Sequence, residues 1–520
     1  MEPKSPRATP RSRSAAEASA SALLVAAASV LVWHRALGYF FSQDDFAKLA
    51  TVVGLAPRLV GPWRYLGNQL FYDLLQPLAG LDPYPYHLAS LACHIGCSLL
   101  LLARLSRRVS PPAALAGSVF FAVHPALFGA LYWVSVIADS LSLLLALTAL
   151  ALAEAPGRRR WLALPLFALS LVSKESTLLL PLVLLVPRER HDERTRGARL
   201  DPLVPALAAV AALYLVYFLF SAYPAYFVPG SPAIPAARAA GRAPYALGLG
   251  SQLLSNFTTL TGWAVDFLLP TVRGFADAAD PGVLPWAVAA ALVWLAGLAA
   301  PALRRSGWLE GGAIYLAFLL PVLPLAHHTY HYYLYAPLAG VATCLAAALE
   351  TAARRIPGPR PLAAWLAALV AATLLVWNGY ALVLKNETEP FVRPELRSEP
   401  VVDRALIARR AYEDLDRARL PAGTRLRFWS PASIALARSE AGDGSVAASE
   451  SYWERNVRSA LLDGLAVRLL LPQVDSVAFV REYRSLPEPY RYAVYRLDGS
   501  LRVAGSTELD SVIRGFPGAR

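Results

Sequence analysis

Charge is scarce in this chain: 17% of its 520 residues are Asp, Glu, Lys or Arg, against 56% hydrophobic. Soluble domains carry about 25% charged residues, so an ordinary water-soluble protein is excluded. Cysteine is scarcer still. Cys93, Cys97 and Cys344 all fall inside apolar runs and form neither a CxxC pair nor a metal-ligand set. They read as small core residues, and a disulfide framework is excluded. There is also no internal repeat, which removes solenoid and propeller architectures. The formal charge is +12, but the basic residues lie in short clusters between apolar runs. That pattern suits loops on one side of a membrane and argues against a nucleic-acid partner.

What the chain does have is long apolar runs, with a mean hydropathy of +0.42. Many reach the roughly 20 residues that cross a bilayer as helix. Spans are expected near 20–38, 86–104, 113–131, 136–154, 161–174 with 176–187, 202–220, 283–302, 309–326, 333–350 and 362–384. Counting the pair around Lys174 as two short helices gives about 11 crossings in an all-α polytopic membrane domain over 20–385. The basic tail 1–19 precedes it; its first apolar run reads as an uncleaved signal anchor.

The loop charges test that count. Basic clusters at Arg104/Arg107/Arg108, Arg158–Arg160, Arg188–Arg199, Arg304/Arg305 and Arg354–Arg360 all fall on the cytoplasmic side if the N-terminus does. The long loops 39–85 and 221–282 then lie outside. Within the second, Gln252 to Leu269 mixes apolar and polar residues, as a helix lying in the interface would. From about Asn386 charges become frequent. Helices are expected over Val401–Leu420 and Trp453–Leu470, a strand over Arg425–Ser430, and a hairpin over Tyr490–Ala504 around Asp498-Gly499. Residues 386–520 thus form a small extracytoplasmic α+β domain, with no catalytic motif of its own.

Chemistry-bearing residues gather at the outer ends of the spans. Asp44-Asp45 follows the first span, where paired carboxylates are costly in lipid and cheap beside an aqueous cleft. A carboxylate there either takes a proton from a hydroxyl or holds a divalent metal that does so; the residues leave both open. The bland reading is a solvated helix end. Arg64 suits a phosphate or a lipid headgroup equally. His124 sits in an apolar stretch as a packed histidine would, whereas Asp139, entering a span, is a functional candidate by default. Lys174 and Glu175 either neutralise each other or meet an anionic headgroup. His327 to Tyr335 places three histidines and four tyrosines at one span mouth. Zinc lacks a clear ligand pattern there, an aromatic belt explains some of the tyrosines, and phosphate or sugar binding suits the histidines.

Taken in order, these segments resemble the GT-C membrane glycosyltransferases, and in particular bacterial relatives of the tetratricopeptide-containing transmembrane O-mannosyltransferases. The blocks are Asp44-Asp45-Phe46; Arg64-Tyr65-Leu66 leading to Gly80-Leu81-Asp82-Pro83 and Tyr86-His87-Leu88; His124-Pro125 with Trp133 and Asp139; Leu171 to Glu175; and Leu320-Pro321-Val322 followed by Tyr333 to Pro337. The chain departs from that pattern at Gly129, where the family has glutamate, at Ile137, where it has arginine, and at Tyr332, where a basic residue is expected beside His331. The repeats are replaced by the α+β domain.

The resemblance implies a GT-C-like fold and inverting transfer of a hexose, such as mannose, from a polyprenyl-phosphate-linked donor to an extracytoplasmic protein or envelope glycan. Asp44 or Asp45 would be the catalytic carboxylate. Arg64, His124, Trp133, Asp139, Lys174, Glu175, His331, Tyr332 and Tyr335 would bind the sugar or lipid phosphate. A transporter or flippase of lipid-linked sugar would need polar residues spread through the bundle, and a non-catalytic membrane scaffold would need none of these groups.

Overall fold

The computed structural model describes residues 15–58, 61–186, 201–226, 247–265, 275–276, 281–325, 329–355, 360–387, 400–429, 457–480, 483–495 and 501–514. Among the described residues, five helices are long and apolar enough to cross a membrane: Ala15–Gly38, Pro83–Leu105, Val134–Ala153, Leu203–Ala225 and Ala364–Val383. The pair Pro111–Ala122 and Pro125–Tyr132, bent by 40° at His124-Pro125, is long and apolar enough for a sixth when taken as one broken span, and is otherwise a re-entrant loop. Proline removes a backbone donor there and restricts the residue before it, so the helix breaks where the sequence dictates. Shorter apolar helices cover Leu284–Ala299 and Trp308–Val322. Leu213, Phe220, Leu292, Trp365 and Val376 point outward, each more than 60% exposed. Rows of such side chains are costly in water and ordinary in lipid, and with the apolar helices they make this an integral membrane protein.

Helix α1 (Ala15–Trp33) is followed by α2 (Asp44–Val52), α3 (Phe71–Ala79) and α4 (Pro83–Leu105). The Gly80-Leu81-Asp82-Pro83 block starts α4: Gly80 takes φ +58°, Asp82 accepts from the Tyr84 amide at 3.0 Å, and Pro83 occupies the first turn. The expected span at 161–187 is two pieces. Helix α5 (Ala163–Ser173) stops where Lys174 becomes extended, and Ser170 and Thr177 hydroxyls meet at 2.7 Å across the break. Ser142 joins them at 3.1 and 3.3 Å, a buried hydroxyl cluster of the kind that joins membrane helices.

Helix α6 (Ser251–Val265) buries Asn256 and Thr259 to Ala264. Gly248 just before it donates to Pro324 O at 2.7 Å, and Asn256 donates to Leu323 and Leu325 carbonyls at 2.8 Å. Near its far end Trp263 lies 4.1 Å from the His331 ring. All three contacts fall on residues 323–331, at the same end of the bundle. Strands β1 (Phe275–Ala276) and β2 (Thr329–Tyr330) pair there as well.

The C-terminal region has helix α7 (Pro400–Arg417) and a sheet of β3 (Thr424–Trp429), β4 (Val474–Phe479), β5 (Tyr490–Tyr495) and β6 (Leu501–Ala504). The order is β4-β3-β5-β6, with β3 parallel to both neighbours and β5–β6 antiparallel, as the hairpin reading expects. Two expectations need correction. The helix read through Trp453–Leu470 is interrupted within its described part: Leu462, Asp463 and Gly464 take φ +46, +54 and +92°, and regular helix α8 covers only Leu465–Leu470. Strand β4 went unread because Asp475 and Ser476 blur its alternation.

Candidate active site

The acidic pair opens α2, and its two members have different surroundings. Asp45 is buried and fully engaged: it accepts from the Ser42 amide at 2.9 Å, the Ser135 hydroxyl at 2.5 Å and the Tyr72 hydroxyl at 3.3 Å. Burial pushes its carboxyl up to about 6 despite those donors. Asp44 is half-buried, and among the described residues no group lies within hydrogen-bonding distance of its carboxylate. One aspartate anchors the helix and the other remains chemically available.

One turn on, Lys48 donates to Ser135 O at 2.9 Å and stands 5.6 Å from the centre of the Tyr72 ring. Burial lowers its ammonium to about 8, while Asp44 and then Asp45 pull it back up. Burial also holds the Tyr72 hydroxyl well above its ordinary range, so it stays a neutral donor.

The rest of the site comes from three distant segments. Trp133 donates to Ser42 O at 3.1 Å and sets its ring edge-on to Tyr332, with centroids 6.0 Å apart. Tyr332 and Tyr333 each lie 5.2 Å beneath the Lys174 ammonium, which pairs with Asp139 at 2.5 Å. Arg64 pairs in a forked manner with Glu175 and stacks over Trp63 at 4.9 Å. Gly67 permits this convergence, because a Cβ there would stand 2.5 Å from that of Ala138, beside Asp139. Arg64 itself takes φ +50° and Gln43, just before Asp44, φ +48°. Non-glycine residues persist in such conformations only where their surroundings impose them, and they cluster at working sites.

Beside Arg64 and Glu175 opens a cavity of about 220 Å³, walled by Tyr214, Phe218, Val322, Leu325 and Tyr333 among others. A charged pair thus stands at the edge of an apolar cavity, an arrangement that suits an amphipathic molecule.

The structure thus brings together Asp44, Asp45, Arg64, Trp133, Asp139, Lys174, Glu175 and Tyr332. His331 lies at the same end against Trp263. His124 and Tyr335 are elsewhere. His124 is buried, accepts from the Ala126 amide at 3.2 Å and packs on Phe120. Tyr335 is fully buried and bonds to His94 at 2.9 Å. Gly129 lies under Tyr332, 3.6 Å from its ring were it to carry a Cβ, and Ile137 is buried. His327 and His328 lie outside the described residues. Among the described residues no three His, Cys, Asp or Glu side chains converge as a metal site.

Sequence reasoning missed Lys48, Tyr72 and Ser135. Only Lys48 carried a signal, standing four residues after Asp44 on one helix face.

No family model matches the chain, and no curated protein does. Among solved structures, the crystal structure of ArnT from Cupriavidus metallidurans bound to undecaprenyl phosphate is similar at 14% identity, with 86% of this chain and 77% of that chain covered. The TM-score is 0.38. At that level the likeness carries no weight, and the chemistry below rests on the geometry of this chain.

Proposed function

We propose that this protein is a GT-C-type membrane glycosyltransferase that transfers a hexosyl group from a polyprenyl-phosphate donor to an extracytoplasmic hydroxyl. The observation that carries the reading is the uncommitted carboxylate of Asp44. It stands on a helix locked by Asp45, at the bundle end that holds Lys174, Arg64 and an apolar cavity.

Asp44 acts as general base. The acceptor oxygen bonds to the anomeric carbon, the bond from that carbon to the lipid-phosphate oxygen breaks, and the acceptor proton passes to Asp44. The polyprenyl phosphate leaves with the electron pair, giving inversion in one displacement. Arg64 and Lys174 stabilise the charge that develops on the phosphate. The cavity beside Arg64 takes the start of the prenyl chain, and Trp133 with Tyr332 forms an aromatic face for the sugar. The family resemblance favours mannose and a protein or envelope-glycan acceptor, with Asp44 facing the exterior.

The test is release of polyprenyl phosphate from a polyprenyl-phosphate hexose by the full-length protein in membranes. Asp44→Asn should lower kcat by about 10²- to 10⁴-fold, the usual contribution of a positioned base, with donor KM little changed. Undiminished turnover in Asp44→Asn would remove the mechanism.

A further inference from the structure

Helix α2 has nine residues. Isolated helices shorter than about 12 to 15 residues are marginal in water, so tertiary packing must keep it helical. One side of that packing is the Asp45–Ser135–Tyr72 anchor. The other side comes from the C-terminal domain. Phe46 and Leu49, both fully buried, belong to the same apolar core as Ile407, Ala411, Val467 and Leu469. That core is not internal to the domain but shared with the acidic helix.

Just ahead of α2, Phe40 stacks on Tyr412 with ring centroids 5.8 Å apart and planes 13° off parallel. Arg409 also reaches Gly38 O at 3.5 Å. The turn leading into α8, which packs on α2, contains Leu462 and Asp463 in left-handed conformation. Five non-glycine residues in the described chain have positive φ. Four of them, Gln43, Arg64, Leu462 and Asp463, border the site or the turn pressed against it. The strain on the domain side has the same focus as the strain on the membrane side.

We propose that the C-terminal domain is a positioning part of the active site. It clamps α2 from outside, so that Asp44 stands in register for transfer only while Tyr412 and α8 hold Phe40 and the acidic helix. This rests on the role given to Asp44 above. Tyr412 touches no reacting atom and works through α2.

The experiment uses the full chain in lipid nanodiscs, with hydrogen exchange of residues 44–52 measured beside donor turnover. Tyr412→Ala and Phe40→Ala should each speed exchange in α2 and lower kcat, by up to about 100-fold for an ångström-scale misplacement, with donor KM unchanged. The double variant should be no worse than the poorer single, and Tyr412→Phe, which keeps the stacked ring, should restore both readouts. Unchanged exchange in Tyr412→Ala overturns the clamp. Faster exchange with wild-type kcat overturns it too, because the domain would then be only a neighbour. If the wild-type protein releases no polyprenyl phosphate while exchange in α2 still responds to Tyr412→Ala, the glycosyltransfer reading fails and the mechanical coupling stands.

Discussion

At one end of the bundle Arg104, Arg108, Glu154 and Glu310 meet where α4 and the helix Ile137–Ala153 finish and Trp308–Leu319 begins. Arg104 pairs with Glu154 at 2.8 Å and with Glu310, and Arg108 pairs with Glu310 and, at 3.5 Å, with Glu154. The Arg104, Glu154 and Glu310 side chains are 5% exposed or less. At the opposite end Arg64 and Glu175 stay 16% and 19% exposed beside a cavity, and Asp44 has no hydrogen-bond partner among the described residues, though the Lys48 charge acts on it. Both ends gather acids and bases. In the first, each charge is matched, all but the 22%-exposed Arg108 are sealed, and the ion pairs tie three helix ends together. In the second, the matching stops at one carboxylate and one opening. Chemistry needs that shortfall: a group already satisfied by the fold has no capacity left for a substrate.

The largest expected contrast between the ends comes from removing one acid at each. Asp44→Asn should cost turnover as stated above and leave thermal stability within about 0.5 kcal/mol, as for a substitution away from the packed core. Glu310→Ala should do the reverse. It leaves the sealed Arg104, and with it Arg108, short of a partner and should destabilise by about 3–5 kcal/mol, with activity per folded molecule retained. Thermal unfolding in detergent against turnover of the folded fraction reads both. A Glu310→Ala protein of wild-type stability would show that the sealed cluster ties nothing together.

A smaller effect is expected at Arg64. Arg64→Leu should raise donor KM about tenfold, through loss of one charge-assisted contact to phosphate, with kcat less affected. Equal donor KM in the two proteins would move the phosphate away from Arg64.

The smallest effect is a pH shift. Asp45 titrates at about 6 because it is buried, so its ionised form is lost as pH falls through that value, and turnover should fall with it. The Ser135 hydroxyl favours the ionised form, so Ser135→Ala should raise the Asp45 value and move the acid limb to higher pH. Raised from 3.8, the same group favours folding below pH 3.8, and that contribution disappears as pH rises through about 6. An acid limb that does not move in Ser135→Ala would separate it from Asp45.

Much of the fold was legible because it depends on local chemistry. The Pro125 bend, the Asp82 cap with Pro83, the helix over 251–265 and the β5–β6 hairpin all follow from residues close together in sequence. Arg104 and Arg108 show where legibility ended. Read as loop charges, they turn inward because Glu154 and Glu310 arrive from elsewhere in the chain. Tyr335 likewise looked like a mouth residue and lies in the bundle interior bonded to His94, while His124 packs as its apolar surroundings suggested and not as the family resemblance implied.

By itself the sequence determined that this is an apolar, multi-helix chain with an acidic pair at one span end and a separate charged region after it. Runs of apolar residues, proline breaks and helix caps act over a few residues and need no partner. Only the tertiary structure decided that Asp45 is the anchor and Asp44 the available carboxylate. A carboxylate's role depends on which donors surround it, and Tyr72 and Ser135 come from other segments. The packing of the C-terminal domain on α2 was beyond sequence reach for the same reason: Phe40 and Tyr412 are 372 positions apart and meet only in the folded chain.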